Sequence, residues 1–235
     1  MELRLFAVRH GATAWSRERR FAGSQDIPLS PEGRRQCEAL ADAFAPLPLA
    51  AVYASPLARA RESAAAIAAA RGIDLMVAPD FREMCFGDWE GLARDEVERR
   101  FPDDFAVWRS TPERFARPGS EPLDAVAGRV MRGLEDLRSA HHGGAVIVVT
   151  HAVVTRLLVL AALGLGPERL WSVDASPAGI SEIEYRDDWA VVHRVNTLSH
   201  LEERADADSR SATGSPGRSE RTGGMGGPSR PPIRS

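Results

Sequence analysis

Ala145-Val146-Ile147-Val148-Val149-Thr150-His151 is the stretch that decides the fold. Its five apolar residues run without polar alternation, as in a strand covered on both faces by helices. The same theme recurs on either side. Leu3 to Val8 reads as a strand and runs into Arg9-His10-Gly11. Ala50 to Ala54 reads as a second and runs into Ser55-Pro56-Leu57-Ala58-Arg59. Leu75 to Ala78 is a weaker third. Ile180 to Tyr185 and Ala190 to Val195 read as a closing hairpin with Asp187-Asp188 at its turn.

Helical patterns fill the intervals. Ser30-Pro31 and Ser55-Pro56 each read as an N-cap followed by proline in the first helical position, opening helices to about Phe44 and Arg71. Residues 122–141 are amphipathic and stop at Gly143-Gly144; residues 152–163 stop near Gly164. Strands alternating with helices predict a three-layer α/β/α sandwich with a mostly parallel central sheet, one domain spanning residues 1–202. From about Glu203 to Ser235 the chain turns to Gly, Ser, Arg and Pro and is expected to be a disordered tail.

Composition narrows the function. The 235 residues are 43% hydrophobic, enough for one substantial core, and the net charge of −3 gives no reason to expect nucleic-acid binding. All 30 basic residues are arginine, so any anion site must be built from guanidinium groups. Two cysteines make no disulfide framework and fit a reducing, cytoplasmic setting. The N-terminus lacks the pattern of a secretory signal, and the apolar stretches at 145–149 and 157–163 are too short to span a bilayer. No membrane association is expected.

In open α/β sheets ligands bind beyond the carboxyl ends of the strands. Arg9, His10, Arg59 and His151 all follow such ends and should converge. Two guanidiniums repel a metal cation and match the oxygens of a phosphate bidentately. The helix starting after His151 would add the amides of Ala152 and Val153, and Gly11 would let the backbone approach closely beside His10. A neutral imidazole can attack phosphorus, the guanidiniums can neutralise the equatorial oxygens, and a carboxylic acid is needed to protonate the leaving oxygen. Glu83, set among bulky apolar residues in Arg82 to Gly91, suits that task. Glu90 reads as structural, Cys37 as core, and His141 and His142 as helix caps. Thr13 either serves the loop backbone or touches phosphate. Phe105, Trp108, Arg109, Arg114 and Phe115 form either a lid over the leaving group or part of the core.

Arg9-His10-Gly11-Ala12-Thr13 resembles the signature of the histidine phosphatase superfamily, also called phosphoglycerate mutase-like. The likeness continues in order through Gly23 to Gly33, Ser55 to Ala60, Glu83 to Gly91 and Val149-Thr150-His151. The short Phe86-Gly87-Asp88-Trp89-Glu90-Gly91 form and Arg117 to Glu121 resemble the α-ribazole phosphatases and related small phosphatases. The resemblance implies a phosphohistidine at His10, phosphate binding by Arg9, Arg59 and His151, and proton donation by Glu83, so that His10, Glu83 and His151 are the expected catalytic residues; Thr13, Ser16 and Ala152 are further candidate phosphate contacts. Departures are Ala12, Ser16 and Ala152, where the family often carries Glu, Asn and Gly. The reading calls for no metal and no cofactor.

The expected activity is hydrolysis of a small phosphorylated metabolite, such as α-ribazole 5′-phosphate or a sugar phosphate. A phosphoglycerate mutase-type transferase and a non-catalytic phospho-ligand binding module are the rival readings. Oligomeric state stays open, with a homodimer among the options.

Overall fold

A computed structural model describes residues 2–205 of the chain. Six strands form one sheet in the order β3-β2-β4-β1-β5-β6. They are β1 (Leu3–Arg9), β2 (Leu49–Ala54), β3 (Leu75–Val77), β4 (Gly144–Thr150), β5 (Ile180–Tyr185) and β6 (Ala190–Thr197). The first four are mutually parallel, and β5 and β6 are antiparallel additions. This is the expected mostly parallel α/β/α architecture.

The unbroken apolar runs follow from burial on both faces. Leu3, Leu5 and Ala7 of β1 and Val146 and Val148 of β4 join one core cluster, whereas Phe6, Val8, Ile147 and Val149 join the other. The first cluster packs against α6 (Leu123–Ala140) and α7 (Ala152–Ala162), the second against α2 (Pro31–Phe44) and α3 (Ala58–Arg71). A short α1 (Ala14–Arg17) precedes α2. Between Glu83 and α6 lie α4 (Arg94–Arg100) and α5 (Pro102–Ser110), closed around Trp89, which packs on Phe115 at a centroid distance of 4.7 Å.

Ser30 caps α2 as expected, its hydroxyl accepting from Gly33 N at 3.0 Å. The expected cap at Ser55 is not formed. The N-cap of α3 is Leu57, without a side-chain bond, and the helix starts at Ala58. The carboxylate of Asp26, from a different loop, accepts from Ala58 N at 2.6 Å instead, leaving the Ser55 hydroxyl for another partner. Residues 199–205 are helical, and Arg204 there pairs with Glu38 and Asp42 of α2. The tail expected from residue 203 lies, from 206 onward, outside the described residues. Among the described residues no helix is long and apolar enough to cross a membrane.

Register places the site. Arg9 is opposite Thr150, and Ala54 opposite Val149. The residues that follow β1, β2 and β4 therefore emerge side by side. The loop after β1 is pressed onto the start of α2: a Cβ on Gly33 would stand 2.0 Å from the Ala12 carbonyl oxygen. Alanine favours helices over glycine by about 1 kcal/mol, yet Gly33→Ala is expected to destabilise the fold by about 1–3 kcal/mol through this backbone clash. Urea denaturation of the variant checks the sign.

Candidate active site

The chain turns at Arg9-His10 and at Thr150-His151 bring two imidazoles together, with ring centroids 5.1 Å apart and planes at 61°. Both are buried. His10 Nδ1 lies 2.7 Å from the Gly11 carbonyl oxygen, and Arg59 Nε donates to His10 Nε2 at 3.2 Å. A carbonyl only accepts and a guanidinium only donates. The contacts therefore assign the proton to Nδ1 and the lone pair to Nε2. Burial, then Arg59 and Arg9, hold this imidazole well below its ordinary pKa, so it stays neutral.

Arg59 sits in the first turn of α3. Its terminal nitrogens donate to the carbonyls of Gln25 at 2.6 Å and Gly23 at 2.8 Å, tying the 23–25 loop to the histidine. That loop is held from its other side by Glu90, which accepts from Ser24 N at 2.9 Å and Phe86 N at 3.0 Å. Glu90 is thus the structural carboxylate the sequence suggested. Arg9 donates one terminal nitrogen to the Ala175 carbonyl at 2.6 Å, while its buried Nε has no partner among the described residues. Burial pushes the Arg9 guanidinium down to about 10, Glu83 opposing the shift.

His151 is the N-cap residue of α7. Its Nε2 is 2.6 Å from Ser55 Oγ, and its buried Nδ1 has no partner among the described residues. Ser55 Oγ already accepts from Leu57 N at 3.3 Å. Donating its one proton to His151 Nε2 satisfies a fully buried hydroxyl, and leaves His151 Nδ1 carrying a proton with nothing to receive it. Burial, then Arg59, His10 and Arg9, lower the pKa of this imidazole as well.

Glu83 lines the same cavity and is nearly buried. Its Oε1 accepts from Met84 N at 3.0 Å, and its Oε2 is 3.4 Å from Val153 N at the start of α7. The loop carrying it is clamped by Arg129 of α6, 3% exposed, which donates to the carbonyls of Asp80, Arg82 and Glu83 and pairs with Glu121 at 2.8 Å.

The cavity is about 520 Å³, within the roughly 300–1,000 Å³ common for small-molecule sites. Thr13, Ser16 and Ala152 all line it. The hydroxyls of Thr13 and Ser16 are engaged in a capping box on α1, each bonded to the other's backbone, so Thr13 does serve the loop backbone. Of the five residues suggested for a lid, Phe105, Trp108 and Arg109 line the cavity; Phe115 is buried in the core, and neither it nor Arg114 lines the cavity. Among the described residues no group of three or more His, Cys, Asp or Glu is placed to hold a metal ion. The donors facing the cavity suit a phosphate-sized anion.

Four positions at or around the cavity have no site role in the sequence reading. Ser55 stands there in the segment after the second strand and as a helix cap. Ser63, one turn beyond Arg59 on α3, accepts from Gly11 N at 3.1 Å and returns its proton to the Arg59 carbonyl at 2.8 Å. Arg156, one turn beyond Ala152, lines the cavity. For these two, spacing of four residues from a recognised site residue is the signal that could have found them. Arg129 offered no such signal, because it acts across 46 residues of sequence.

The sequence matches the family model described as the histidine phosphatase superfamily (branch 1) over residues 5–198. It is 32% identical over 201 residues to phosphoserine phosphatase 1 of Hydrogenobacter thermophilus, covering 86% of this chain and 95% of that protein. Among solved structures, YhfR of Bacillus stearothermophilus superposes with a TM-score of 0.80 at 31% identity, covering 85% of this chain and 99% of the other. An α-ribazole phosphatase of Shigella flexneri shares the fold, with a TM-score of 0.75 at 24% identity over 83% of this chain and 96% of that one.

The two lowered imidazole pKa values couple stability to pH. Unfolded, each histidine titrates near about 6.5; folded, each resists protonation. Below that value the unfolded chain binds more protons, so stability falls as pH drops from about 6.5 toward the folded-state values, by up to about 1.4 kcal/mol per pH unit per group. Urea titrations from pH 7.5 to 5 should show this decline. The His10→Gln/His151→Gln double variant should show a shallower one, and equal slopes would refute the assignment.

Proposed function

This chain belongs to the histidine phosphatase superfamily (branch 1) and is a phosphatase; from that premise we propose that it hydrolyses a small phosphomonoester through a phosphohistidine at His10. The observation that carries this reading is the tautomer of His10, whose Nδ1 proton is committed to Gly11 and whose Nε2 lone pair faces the cavity beside Arg59.

The substrate's phosphoryl oxygens take the Arg59 Nε donor that the lone pair holds in the free protein. They also accept hydrogen bonds from Arg9 Nε–H and His151 Nδ1–H, which have no partner among the described residues. His10 Nε2 then attacks phosphorus, the P–N bond forming as the P–O bond to the leaving group breaks. Glu83 gives its proton to the departing oxygen. Next a water attacks the phosphoryl group, Glu83 as carboxylate takes the water's proton, the P–N bond breaks and His10 Nε2 regains its lone pair. The charge borne by the equatorial oxygens stays balanced by fixed guanidiniums throughout, which supports catalysis without a metal. Ser55 acts through His151, by fixing which of its nitrogens carries the proton.

The Hydrogenobacter relative makes O-phosphoserine the first substrate to test, with α-ribazole 5′-phosphate and sugar phosphates beside it. Phosphate release by the wild-type protein should persist in excess chelator. His10→Ala should lose at least about a thousandfold, and Glu83→Gln about 10²–10⁴-fold. Quenched wild-type enzyme should carry an acid-labile, alkali-stable phosphate that His10→Ala lacks. Transfer to a second hydroxyl faster than release to water would favour a mutase instead; binding without turnover would favour the binding module. Ser55→Ala should cut kcat about tenfold, the worth of one hydrogen bond, with Ser55→Thr restoring it; an unchanged kcat would remove Ser55 from the mechanism.

A further inference from the structure

Residues 174–179, just before β5, grip the turn that carries Arg9 and His10, yet none of them lines the cavity. Gly179 O accepts from Arg9 N at 3.1 Å, and Ala178 N donates to the carbonyls of Arg9 and His10 at 3.1 Å each. Ala175 O takes a terminal nitrogen of the Arg9 guanidinium. The segment does not hold this shape unaided. Gly179 N closes on the Ser176 carbonyl at 2.9 Å, with Pro177 and Ala178 between them. Proline followed by a positive φ is the pattern of a type II turn, whose second central position favours glycine. Here that position is Ala178, buried, at φ 59°. An L side chain held there costs free energy and persists only where its surroundings impose it.

Asn196, on the edge strand β6, supplies that constraint. Val195 and Asn196 stand between the rungs Arg194–Glu182 and Thr197–Ile180, opposite the single residue Ser181, whose hydroxyl accepts from Asn196 N at 3.1 Å. At this bulge Asn196 has φ 50°, which asparagine tolerates better than most residues. Its carboxamide meets the 174–179 turn. Oδ1 accepts from Ser176 N at 2.7 Å, and Nδ2 donates to Asp174 Oδ2 at 3.0 Å and Ser176 Oγ at 3.1 Å. A backbone N–H only donates and a carboxylate only accepts, so both ends of the carboxamide are assigned by their partners. The group lies so close that a Cβ on Gly179 would stand 2.1 Å from Oδ1. Its bonds fall on residues 174 and 176, either side of Ala175, whose carbonyl holds Arg9.

We propose that Asn196 is a positioning residue for the reaction: by fixing residues 174 and 176 it sets the Ala175 carbonyl, and through it the direction in which the Arg9 guanidinium meets the phosphoryl group. The inference rests on the phosphatase reading and extends it to an edge-strand residue that does not line the cavity.

Asn196→Ala, Arg9→Gln and their combination test it on phenyl phosphate, with orthovanadate as a mimic of the five-coordinate transition state. Asn196→Ala should lower kcat/KM about tenfold, the worth of one misplaced hydrogen bond to a charged group. The vanadate inhibition constant should rise by a similar factor. In the Arg9→Gln background the same replacement should cost about threefold or less, because the group it positions is gone. A residue that only held the fold together would lower the urea midpoint, leave vanadate affinity of the folded enzyme intact and cost the same factor in both backgrounds. Asn196→Asp keeps the acceptor for Ser176 N but sets a second carboxylate against Asp174, and should lose about as much as Asn196→Ala. Adding Asp174→Asn restores a donor–acceptor pair and should bring activity back to within about threefold of wild type. That pair of variants carries the test if Asn196→Ala does not fold. Activity within twofold of wild type in both single variants at 196, an equal loss with and without Arg9, or no recovery in Asn196→Asp/Asp174→Asn overturns the inference, while His10-dependent release still supports the phosphatase reading. No His10-dependent release by the wild type overturns both.

Discussion

The Arg59 guanidinium is the contact on which the site depends. It is almost wholly buried and carries a positive charge into the centre of the molecule. That placement is tolerable because its donors are spent on an imidazole lone pair and two carbonyls. One side chain thereby joins α3, the end of β1 and the 23–25 loop. After burial, it is the largest cause of the lowered pKa of both histidines, helping to keep each neutral. Removing it would leave a buried lone pair and two carbonyls unsatisfied, and would loosen the loop that Glu90 holds from outside.

A second clamp works the same way on the acid side. Arg129 reaches from α6 to three carbonyls around Glu83 and is neutralised by Glu121. Breaking a buried pair of this kind is typically worth about 3–5 kcal/mol. His10 and Glu83 are thus each mounted by a buried arginine from a neighbouring helix, so their separation is set by helix packing against the sheet. In a chain without lysine, planar forks do the mounting, and a fork fixes direction as well as charge.

The layers, the mostly parallel sheet and the residues that follow its strand ends were legible in the sequence because burial on both sheet faces writes itself as unbroken apolar runs, and because parallel strands must point their carboxyl ends the same way. His10, Arg9, Arg59 and His151 could be read from their place after those strands. The start of α3 could not. Ser55-Pro56 has the local chemistry of a cap, but tertiary contacts with His151 and Asp26 outbid it. Arg129 was silent for a related reason: its partners are backbone carbonyls, which leave no mark on composition. Thr13 and Ser16 both line the cavity and are also bonded to each other's backbone, a local arrangement that a four-residue helix makes visible only once its dihedrals are known.

The bond from Arg59 covers the His10 Nε2 lone pair. An imidazole so covered is a poor base and a poor ligand for stray transition metals, and it is shielded from alkylating electrophiles that lack the charge to draw the guanidinium aside. The same nitrogen opens only to a group able to take over that donor, so the admission requirement and the stabilisation of the reaction are one interaction. In the reaction proposed above, the residue that keeps His10 latent is the one that then assists it.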